Sequence, residues 1–348
     1  MSISLSELGW KPFFQQQLSL DDLTECYPAR VTESQRGHLT LWNEQGKNRL
    51  QRELFHELEP VTVGDWILMP YEAAFPERLL ERMNAIQRKA AGTGRDQQLI
   101  AANLDTLFIV SSCNQDFNEA RLERYLALAL DQSITPLLVL TKADLTESVS
   151  DFEQRARVLH KGLDIVAVNA LESDSLQNLS DWCGEGQTIA LVGSSGVGKS
   201  TLINTLAVED VATQAIREDD AKGRHTTTAR SLYRLRNGGL IIDTPGMREL
   251  ALFDCEQGIE ELFDDITPYL GQCRFNDCQH ETEPGCAVQQ AITDGKLSGQ
   301  RWQRYQKLQR EQQFNEASLA EKRQRDRDLG HYYKSVLKAS QQLKKGKL

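Results

Sequence analysis

The segment 193–201 has the residue types and spacing of a phosphate-binding loop. It reads GSSGVGKST, follows the apolar stretch Thr188–Val192 and precedes a predicted helix over Thr201–Leu206. Glycines let backbone amides turn toward phosphate oxygens, and the helix N-terminus adds positive potential. In this pattern Lys199 reaches the β- and γ-phosphates and the Ser200 hydroxyl binds Mg²⁺. The predicted phosphate-binding residues are Gly193, Ser194, Ser195, Gly196, Val197, Gly198, Lys199, Ser200 and Thr201.

A second segment, 141–144, has residues that distinguish guanine from adenine. It follows the predicted strand Pro136–Leu140 and matches the motif [N/T]-K-x-D. A carboxylate at Asp144 accepts hydrogen bonds from guanine N1–H and N2–H₂, and adenine offers neither donor. The Lys142 stem is expected to lie across the base, and a short loop further along is expected to present an amide to guanine O6. The predicted guanine-binding residues are Thr141, Lys142, Ala143, Asp144, Asn169 and Ala170.

A third segment, 243–246, matches the D-x-x-G switch and follows the predicted strand Leu240–Ile242. Asp243 is expected to hold Mg²⁺ through water, and the Gly246 amide to sense the γ-phosphate. The sequence GRHTTT at 223–228 lies between this switch and the phosphate loop, where a first switch belongs. One of its threonines is expected to bind Mg²⁺, and the candidates are Thr226, Thr227 and Thr228.

The residue after the D-x-x-G segment is Met247, where Ras-like enzymes place a glutamine that orients the attacking water. A methionine cannot orient or deprotonate water, so slow intrinsic hydrolysis is predicted. His225 is the candidate in the chain for the missing group, together with Lys199 as the second catalytic residue. The alternative for His225 is a contact with a partner or with its own loop.

The order of these motifs is inverted relative to Ras-like proteins, where the phosphate loop comes first. Here the guanine motif at 141–144 and the O6 loop at 168–170 precede the phosphate loop, and the switches come last. Each motif alone is weak evidence for a nucleotide site. The alternative for the phosphate loop is a glycine-rich turn without a ligand, and the alternative for the guanine motif is a solvated helix start. Each one ends its own predicted strand, however, and ligands bind at that edge of an open α/β sheet. The combination predicts a GTP-binding protein with a circularly permuted chain.

Three cysteines and a histidine form a separate cluster with the spacing C-x4-C-x-H-x5-C. The predicted metal ligands are Cys273, Cys278, His280 and Cys286. Three thiolates and one imidazole make a closed tetrahedral zinc site, which has no open position for a substrate and is therefore structural. Thiols that bind no metal are the alternative.

The bulk composition fits a globular chain of two or three domains. The sequence has 348 residues, 40% of them hydrophobic and 26% charged, and a net charge of −10. No apolar run reaches the ~18 residues of a membrane span, the first ten residues do not resemble a signal peptide, and a cytoplasmic location is expected. The segment from Lys296 onward is rich in Lys and Arg, which suggests that one end contacts a polyanion.

Periodicity along the chain predicts a multidomain fold. An irregular or helical leader spans 1–26. Short alternating segments over 27–97, of which the third is Arg49–Leu54, predict a small all-β barrel of the OB type. Residues 88–95 have the composition of a linker. Helical stretches such as Glu119–Asp131 alternate with apolar strands over 98–255, which predicts an α/β P-loop domain with a parallel sheet. The five predicted strands are Thr106–Val110, Pro136–Leu140, Asp164–Val168, Thr188–Val192 and Leu240–Ile242. An α-helical zinc-binding domain and a basic helical tail are expected over 256–348.

The inverted motif order, the β unit before it, and the motifs GRHTTT, DTPGM and C-x4-C-x-H-x5-C together resemble the RsgA (YjeQ/YloQ) family of bacterial GTPases. The resemblance implies an OB-fold, a permuted GTPase domain and a zinc domain. It also implies binding to the small ribosomal subunit and its 16S rRNA, a role in late maturation of that particle, and stimulation of hydrolysis by it. Other assembly factors are further expected partners, and contact with a membrane is not expected. The protein is expected to be a monomer.

The chain departs from the family pattern at two positions in the guanine site. Thr141 replaces the commoner Asn, which is expected to weaken the bridge to the phosphate loop, and Asn169 replaces the usual Ser. Two other functions stay open: a GTP-dependent RNA-binding checkpoint module with incidental hydrolysis, and an ATP-using P-loop enzyme such as a kinase. Asp144 argues against the ATP-using enzyme.

Overall fold

The computed structural model describes residues 3–58, 60–89, 97–208, 230–243 and 255–313. The strands, numbered along the chain, are β1 (Cys26–Ser34), β2 (His38–Asn43), β3 (Gly46–Gln51), β4 (Trp66–Pro70), β5 (Arg78–Leu79), β6 (Ala85–Lys89), β7 (Gln97–Ala102), β8 (Thr106–Ser112), β9 (Thr135–Thr141), β10 (Asp164–Ala167), β11 (Thr188–Val192), β12 (Arg230–Arg234) and β13 (Leu240–Asp243). The helices are α1 (Pro12–Gln15), α2 (Leu20–Glu25), α3 (Glu119–Asp131), α4 (Val149–Arg157), α5 (Lys199–Leu206), α6 (Glu256–Leu262), α7 (Thr267–Leu270), α8 (Ala287–Thr293) and α9 (299–313). Within these ranges, none of the helices has the length and apolar character that crossing a bilayer requires.

A parallel sheet with the strand order β10-β9-β8-β11-β13 lies at the centre of the molecule. Every residue of β8 and β11 is buried, as expected for strands covered on both faces. The predicted α/β unit is confirmed, because the five apolar stretches that predicted its strands coincide with these strands to within two residues. The phosphate-loop strand β11 lies between β8 and β13, so the motifs that end these strands meet at one edge of the sheet.

The helix α3 covers one face of this sheet and has the expected amphipathic pattern. Asn118 caps its start by accepting a hydrogen bond from the Arg121 amide at 3.0 Å. Leu122, Leu126 and Ala129 are spaced three or four residues apart and all lie in the core. The helix is contacted on its other side by α6, and it therefore lies between the sheet and the C-terminal helices.

The N-terminal strands form antiparallel pairs in the order β3-β2-β1-β4-β5, and β1 also pairs with β12 of the central sheet. The predicted short strands are confirmed, while their assignment to an OB-fold stays a prediction. The third strand begins earlier than the predicted Arg49, because Asn43 Oδ1 accepts hydrogen bonds from the amides of Gln45 and Gly46 and closes a tight turn there. Its last residue is Gln51 instead of Leu54.

The predicted linker over 88–95 begins too early. Arg88 and the residue after it belong to β6, which pairs with β7 in a hairpin. Composition alone did not reveal this pairing, because the partner strand follows the polar stretch. The remainder of the predicted linker lies outside the described residues.

The leader is packed against the N-terminal strands and the central sheet. Phe14 and Trp10 contact Trp66, with ring centroids 5.9 and 4.8 Å apart. The fully buried guanidinium of Arg30 donates to the Leu8 carbonyl at 2.5 Å and to the Thr188 hydroxyl at 2.9 Å. Arg30 therefore joins the leader, the N-terminal strands and the phosphate-loop strand in one buried contact.

The C-terminal helices are attached to α3 by a buried ion network. The Glu123 side chain is fully buried, and its carboxylate accepts from Arg304 at 2.7 Å and from Arg301 at 3.3 Å. Arg301 also makes a bidentate pair with Asp265 at 2.7 and 2.9 Å. Burial raises the pKa of Glu123, and the two arginines oppose that shift. Removal of either charge would leave the other buried and uncompensated.

Gly258 sits where α6 crosses α3, and a side chain there has no space. A Cβ at this position would lie 2.0 Å from the Ala127 carbonyl oxygen. We expect Gly258→Ala to lower the free energy of unfolding by about 1–3 kcal/mol, because the helices must move apart. Gly271→Ala is the matched control, since a Cβ at that position would have nothing within 4 Å. Denaturant unfolding of both variants measures the difference, and equal stabilities would contradict the prediction.

Candidate functional site

The phosphate loop connects β11 to α5 and depends on glycine at two positions. Gly193 has a φ of 146°, and a Cβ there would lie 2.2 Å from the Val110 carbonyl oxygen. Gly198 has a φ of 99° and occupies the N-cap position of α5. Both backbone conformations disfavour other residues. The predicted glycine-rich turn between strand and helix is therefore present, and it lies close against β8.

Lys199 begins α5 and folds back over the loop. Its Nζ donates to the Gly193 carbonyl at 2.8 Å and also contacts the Ser194 carbonyl. Asp243 ends β13 nearby: burial raises the pKa of its carboxyl, and the positive charge of Lys199 lowers it. A lysine at the start of α5 and a carboxylate at the end of β13 are thus placed to serve a phosphate and its divalent cation. A bound cation would further favour the ionised carboxylate of Asp243.

The guanine motif begins at Thr141, which is fully buried. Its hydroxyl lies within hydrogen-bonding distance of the Val197 carbonyl in the phosphate loop and 3.2 Å from the Ser111 carbonyl. Threonine therefore makes a direct bridge between the two motifs, and its weakness relative to asparagine stays a prediction. Lys142 follows with a φ of 58°, and Asp144 lies in the short turn Ala143–Leu145 with its side chain exposed.

The loop at residues 168–171 lies beside the guanine motif. The Ala143 amide donates to the Val168 carbonyl at 3.4 Å. Asn169 Oδ1 accepts from the Leu171 amide at 3.1 Å, which closes a local turn. Ala170 is held from the other side, where its carbonyl accepts from the Thr205 hydroxyl of α5 at 3.0 Å. The structure thus brings the described members of the predicted nucleotide site together around the start of α5.

The cysteine cluster has the dimensions of a tetrahedral zinc site. Nδ1 of His280 lies 3.3, 3.7 and 3.5 Å from the sulfurs of Cys273, Cys278 and Cys286, and the sulfurs of Cys273 and Cys286 are 3.9 Å apart. Zinc bonds of about 2.3 Å to sulfur and about 2.0–2.1 Å to nitrogen give tetrahedral edges of about 3.8 Å between sulfurs and about 3.5 Å between sulfur and nitrogen. The four ligand atoms, all within 4.8 Å of one another, therefore fit this ion.

Neighbouring groups hold the cluster in place. Backbone amides donate to two of its sulfurs: His280 to Cys278 at 3.4 Å, and Gln289 to Cys286 at 3.5 Å at the start of α8. The His280 ring packs edge-on against Trp302 of α9, with centroids 5.5 Å apart. Amide donors favour the thiolate form that binds metals, and packing fixes the imidazole.

The chain is similar to known proteins over most of its length. The family model described as RsgA GTPase matches residues 79–253, which is half of the chain. A protein of Vibrio parahaemolyticus named small ribosomal subunit biogenesis GTPase RsgA 2 is 50% identical over 334 residues, 96% of this chain and 92% of that protein. The chain belongs to the RsgA GTPase family. Its members hydrolyse GTP, so the predicted enzyme class is confirmed.

Further relatives support the assignment. A protein of Mesorhizobium japonicum named small ribosomal subunit biogenesis GTPase RsgA is 47% identical and covers 90% of this chain and 91% of that protein. The solved structure of YloQ, described as a circularly permuted GTPase, is 25% identical over 81% of this chain and 93% of YloQ, with a TM-score of 0.56. The YjeQ structure from Thermotoga maritima, 24% identical over 81% of this chain and 97% of YjeQ, has a TM-score of 0.59 and shows the same fold. The permuted order is therefore confirmed.

One residue of the site was missed by the sequence analysis of this RsgA-family chain. The Arg121 guanidinium, in the first turn of α3, contacts the Ser194 hydroxyl of the phosphate loop. No motif marks this arginine, and only its position after β8, next to the phosphate-loop strand, brings it there. It adds a positive charge beside the loop. His225, Thr226, Thr227, Thr228 and Gly246, which were predicted for the switches, lie outside the described residues.

The Thr141 bridge leads to a stability prediction. We expect Thr141→Val to lower the free energy of unfolding by about 1–3 kcal/mol, because the nearly isosteric valine leaves the buried Val197 carbonyl without this donor. Affinity for GDP should fall as well, since the carbonyl belongs to the phosphate loop. Thr141→Ser is the control, because it keeps the hydroxyl. Denaturant unfolding and fluorescent GDP titration measure both effects, and a valine variant equal to wild type would contradict the bridge.

Proposed function

We propose that this protein is a GTPase that binds the small (30S) ribosomal subunit and assists its late maturation, with hydrolysis to GDP and phosphate stimulated by the particle. The observation that carries the proposal is the 50% identity, over 96% of the chain, to a relative named for biogenesis of the small ribosomal subunit. The contact of Thr141 with the phosphate loop supports it, because it joins the guanine and phosphate motifs in one site.

Each described nucleotide-site residue has a role in this proposal. Lys199 binds the β- and γ-phosphates, and the amides of 193–198 surround the phosphate oxygens. Ser200 binds Mg²⁺ directly and Asp243 does so through water. Asp144 accepts from the guanine edge, Lys142 covers the base, and the loop of Asn169 and Ala170 lies at O6. The residues Thr201, Thr226, Thr227 and Gly246 complete the predicted nucleotide set.

The activation of water remains assigned to His225, a residue of the switch sequence GRHTTT. Met247 has no group that orients water, so the protein alone hydrolyses GTP slowly in this proposal. The particle then supplies or orders the missing group. Replacement of His225 by alanine with unchanged GTP affinity and unchanged turnover would remove it from catalysis.

The Cys₃His cluster holds one structural zinc ion per chain in this proposal. The ligands are Cys273, Cys278, His280 and Cys286, and their mutual distances support the assignment. A closed four-ligand set leaves no position for a substrate. The ion would tie α8 to the loop before it and, through the contact of His280 with Trp302, to α9.

The proposed partners are the small subunit with its 16S rRNA, GTP, and other assembly factors. The protein acts as a monomer in this proposal, in the cytoplasm, where such a particle is found. The basic segment from Lys296 onward is one proposed RNA-binding region. The proposed domain boundaries are 1–26, 27–97, 98–255 and 256–348, with an OB-fold in the second and a helical zinc domain in the fourth.

A second candidate function is a nucleotide-dependent RNA-binding checkpoint in which hydrolysis is incidental. Met247 favours this alternative, because the residue that orients water in Ras-like enzymes is replaced. The two functions differ in whether the particle accelerates hydrolysis.

The test is steady-state phosphate release from GTP, with ATP as the control nucleotide, with and without purified small ribosomal subunits. The expected result is that the particle strongly stimulates phosphate release from GTP and not from ATP. Tight GTP binding and particle binding without stimulation would favour the checkpoint module. Failure to bind the particle would overturn the ribosomal part of the proposal, and equal use of ATP would overturn the role of Asp144.

A further inference from the structure

Three arginines from three separate elements come together where the N-terminal strands meet the central sheet. Arg52 lies in the turn after β3, Arg230 begins β12, and Arg88 lies in β6. They are far apart in the sequence and belong to none of the nucleotide or zinc motifs. Arg52 ends the charged stretch 47–52, which is the best candidate by sequence for an RNA-binding face of the β unit, with a solvated hairpin as the alternative. The surrounding chain is acidic, with a net charge of −10, so a convergence of positive charge needs an explanation.

The pairing of β1 with β12 places the first two arginines next to each other. Ser34 lies directly opposite Arg230 in this antiparallel pair. Opposite residues project to the same face, with Cβ atoms about 4.5–5.5 Å apart. Nη1 of Arg52 donates to the Ser34 hydroxyl at 3.0 Å. Arg52 is therefore bonded to the serine that lies opposite Arg230.

The hairpin of β6 and β7 brings the third arginine to the same place. Nη1 of Arg230 donates to the Leu99 carbonyl at 2.7 Å. The neighbouring residue, Gln98, lies opposite Arg88, whose Nε donates to the Gln98 side chain at 3.0 Å. Arg88 is thus one residue along the hairpin from the carbonyl that holds Arg230.

The acceptors that hold Arg52 and Arg230 are neutral. Arg52 donates to the Ser34 hydroxyl and to the carbonyls of Gln35 and Val61, and Arg230 donates to the Leu99 carbonyl. Within the described ranges, neither of these two arginines forms an ion pair with a carboxylate. Burial lowers the pKa of Arg230 to about 10, and the positive charges of Arg88 and Arg52 contribute to that shift.

Like charges that lie near one another and are partly buried are stabilised by an anion. A guanidinium presents a planar set of donors that matches the oxygens of a phosphate, and two guanidiniums can bind one phosphate from two sides. Each of the three side chains is only partly covered, so a group at the surface can reach them. The polyanion of the proposed function is RNA, and its backbone presents phosphates at regular intervals.

We propose that Arg52 and Arg230, with the charge of Arg88 beside them, bind a backbone phosphate of RNA at the junction of the N-terminal strands and β12. This inference rests on the proposed function, because the small ribosomal subunit supplies the RNA. The contact recognises the phosphate and not the base, so it positions the protein on the particle without reading sequence.

The test uses the full chain and purified small ribosomal subunits with a slowly hydrolysed GTP analogue. Affinity is measured for wild type, Arg52→Gln and Arg230→Gln over a series of KCl concentrations. Each substitution is expected to weaken binding several-fold at low salt and to reduce the slope of log K against log salt by about 1. Arg157→Gln is the matched control, since this exposed arginine at the end of α4 removes the same charge elsewhere.

A second measurement separates loss of the site from loss of the fold. With saturating GDP, so that the phosphate loop is filled, inorganic phosphate is expected to raise the melting temperature of wild type and of Arg157→Gln. It should raise the melting temperatures of Arg52→Gln and Arg230→Gln less. The same variants must show unchanged GDP affinity, which reports an intact central sheet.

The outcomes are distinguishable. Wild-type salt slopes in both arginine variants, with particle binding intact, would overturn this site and leave the proposed function standing. If the wild-type protein did not bind the particle, the proposed function would be overturned. The phosphate titration would then show whether the arginines bind an anion at all. A phosphate effect with no change in particle binding would show that the site takes free phosphate and not RNA, which also overturns the inference.

Discussion

Replacement of Lys199 by alanine is expected to lower kcat/KM for GTP by about 100- to 1000-fold. The amine lies over the phosphate loop, with Nζ 2.8 Å from the Gly193 carbonyl. In the proposed site it is the positive charge that contacts the β- and γ-phosphates. Removing one donor aimed at developing negative charge in an enclosed site has effects of this size. Nucleotide affinity should fall together with turnover, because the same charge contacts the ground-state phosphates.

The measurement is phosphate release at several GTP concentrations, in the presence of the activating particle if intrinsic turnover is too slow. Lys161→Ala is the matched control, because this lysine is exposed and lies outside the loop. Melting curves with and without GDP show whether the Lys199 variant is folded and whether GDP still stabilises it. A variant that keeps wild-type kcat/KM would show that the loop binds nucleotide in another way.

The parts of the fold that local patterns encode were predictable from the sequence. The apolar stretches at 136–140 and 188–192 became β9 and β11, and the predicted helix over Glu119–Asp131 coincides with α3. Buried parallel strands appear as continuous apolar runs, and the amphipathic period of a helix is equally visible. The glycines of the phosphate loop could also be interpreted from the sequence, because their role depends on local backbone conformation.

Contacts between distant segments were not predictable in this way. Arg30, Arg121 and Glu123 are ordinary charged residues in the sequence, yet each is fixed by a partner many positions away. Burial of such a charge depends on which elements pack together, and no local period reports it. The same applies to the β6–β7 hairpin, whose strands are separated by a polar stretch that resembles a linker.

Thr141 shows a limit of reasoning from a motif. Its replacement of asparagine was expected to weaken the bridge between the guanine motif and the phosphate loop. The shorter side chain still places its hydroxyl at the Val197 carbonyl, because the residue is fully buried at the end of β9 and the loop lies directly against it. A motif position tells which contact is needed, while the backbone distance decides which side chain can make it.

The helix α3 connects two sites that are separate in the sequence. Its first turn contacts the phosphate loop through Arg121, and the next turn carries Glu123, which pairs with Arg301 and Arg304 of α9. The zinc cluster contacts the same helix α9 through Trp302. A displacement of α3 on nucleotide binding would therefore alter the contacts of both the phosphate loop and the zinc cluster, whichever residues of the switches take part.

Loss of one zinc ligand is expected to have the second large effect. Cys286→Ala removes a sulfur that is both a member of the cluster and the N-cap acceptor of α8. Structural zinc contributes about 10–16 kcal/mol to the folding of small domains, and a site with three ligands loses most of that affinity. We expect zinc content to fall from about one ion per chain to a small fraction after dialysis against a chelator, because loss of an outer-shell partner alone costs about 10- to 100-fold.

Cys183→Ala is the matched control for this variant. Cys183 is also buried, but it lies in the core of the central domain, where burial raises the pKa of its thiol to about 12. It should keep full zinc content, and its free energy of unfolding should fall only by the amount that a small core cavity costs. Limited proteolysis should cleave the Cys286 variant between α7 and α9 while the central domain stays protected. If the Cys286 variant retained stoichiometric zinc, Cys286 would not be a required ligand. If it lost the zinc but kept wild-type protection, the cluster would hold its fold without the ion, and hydrogen bonds among the thiols would have to account for its geometry.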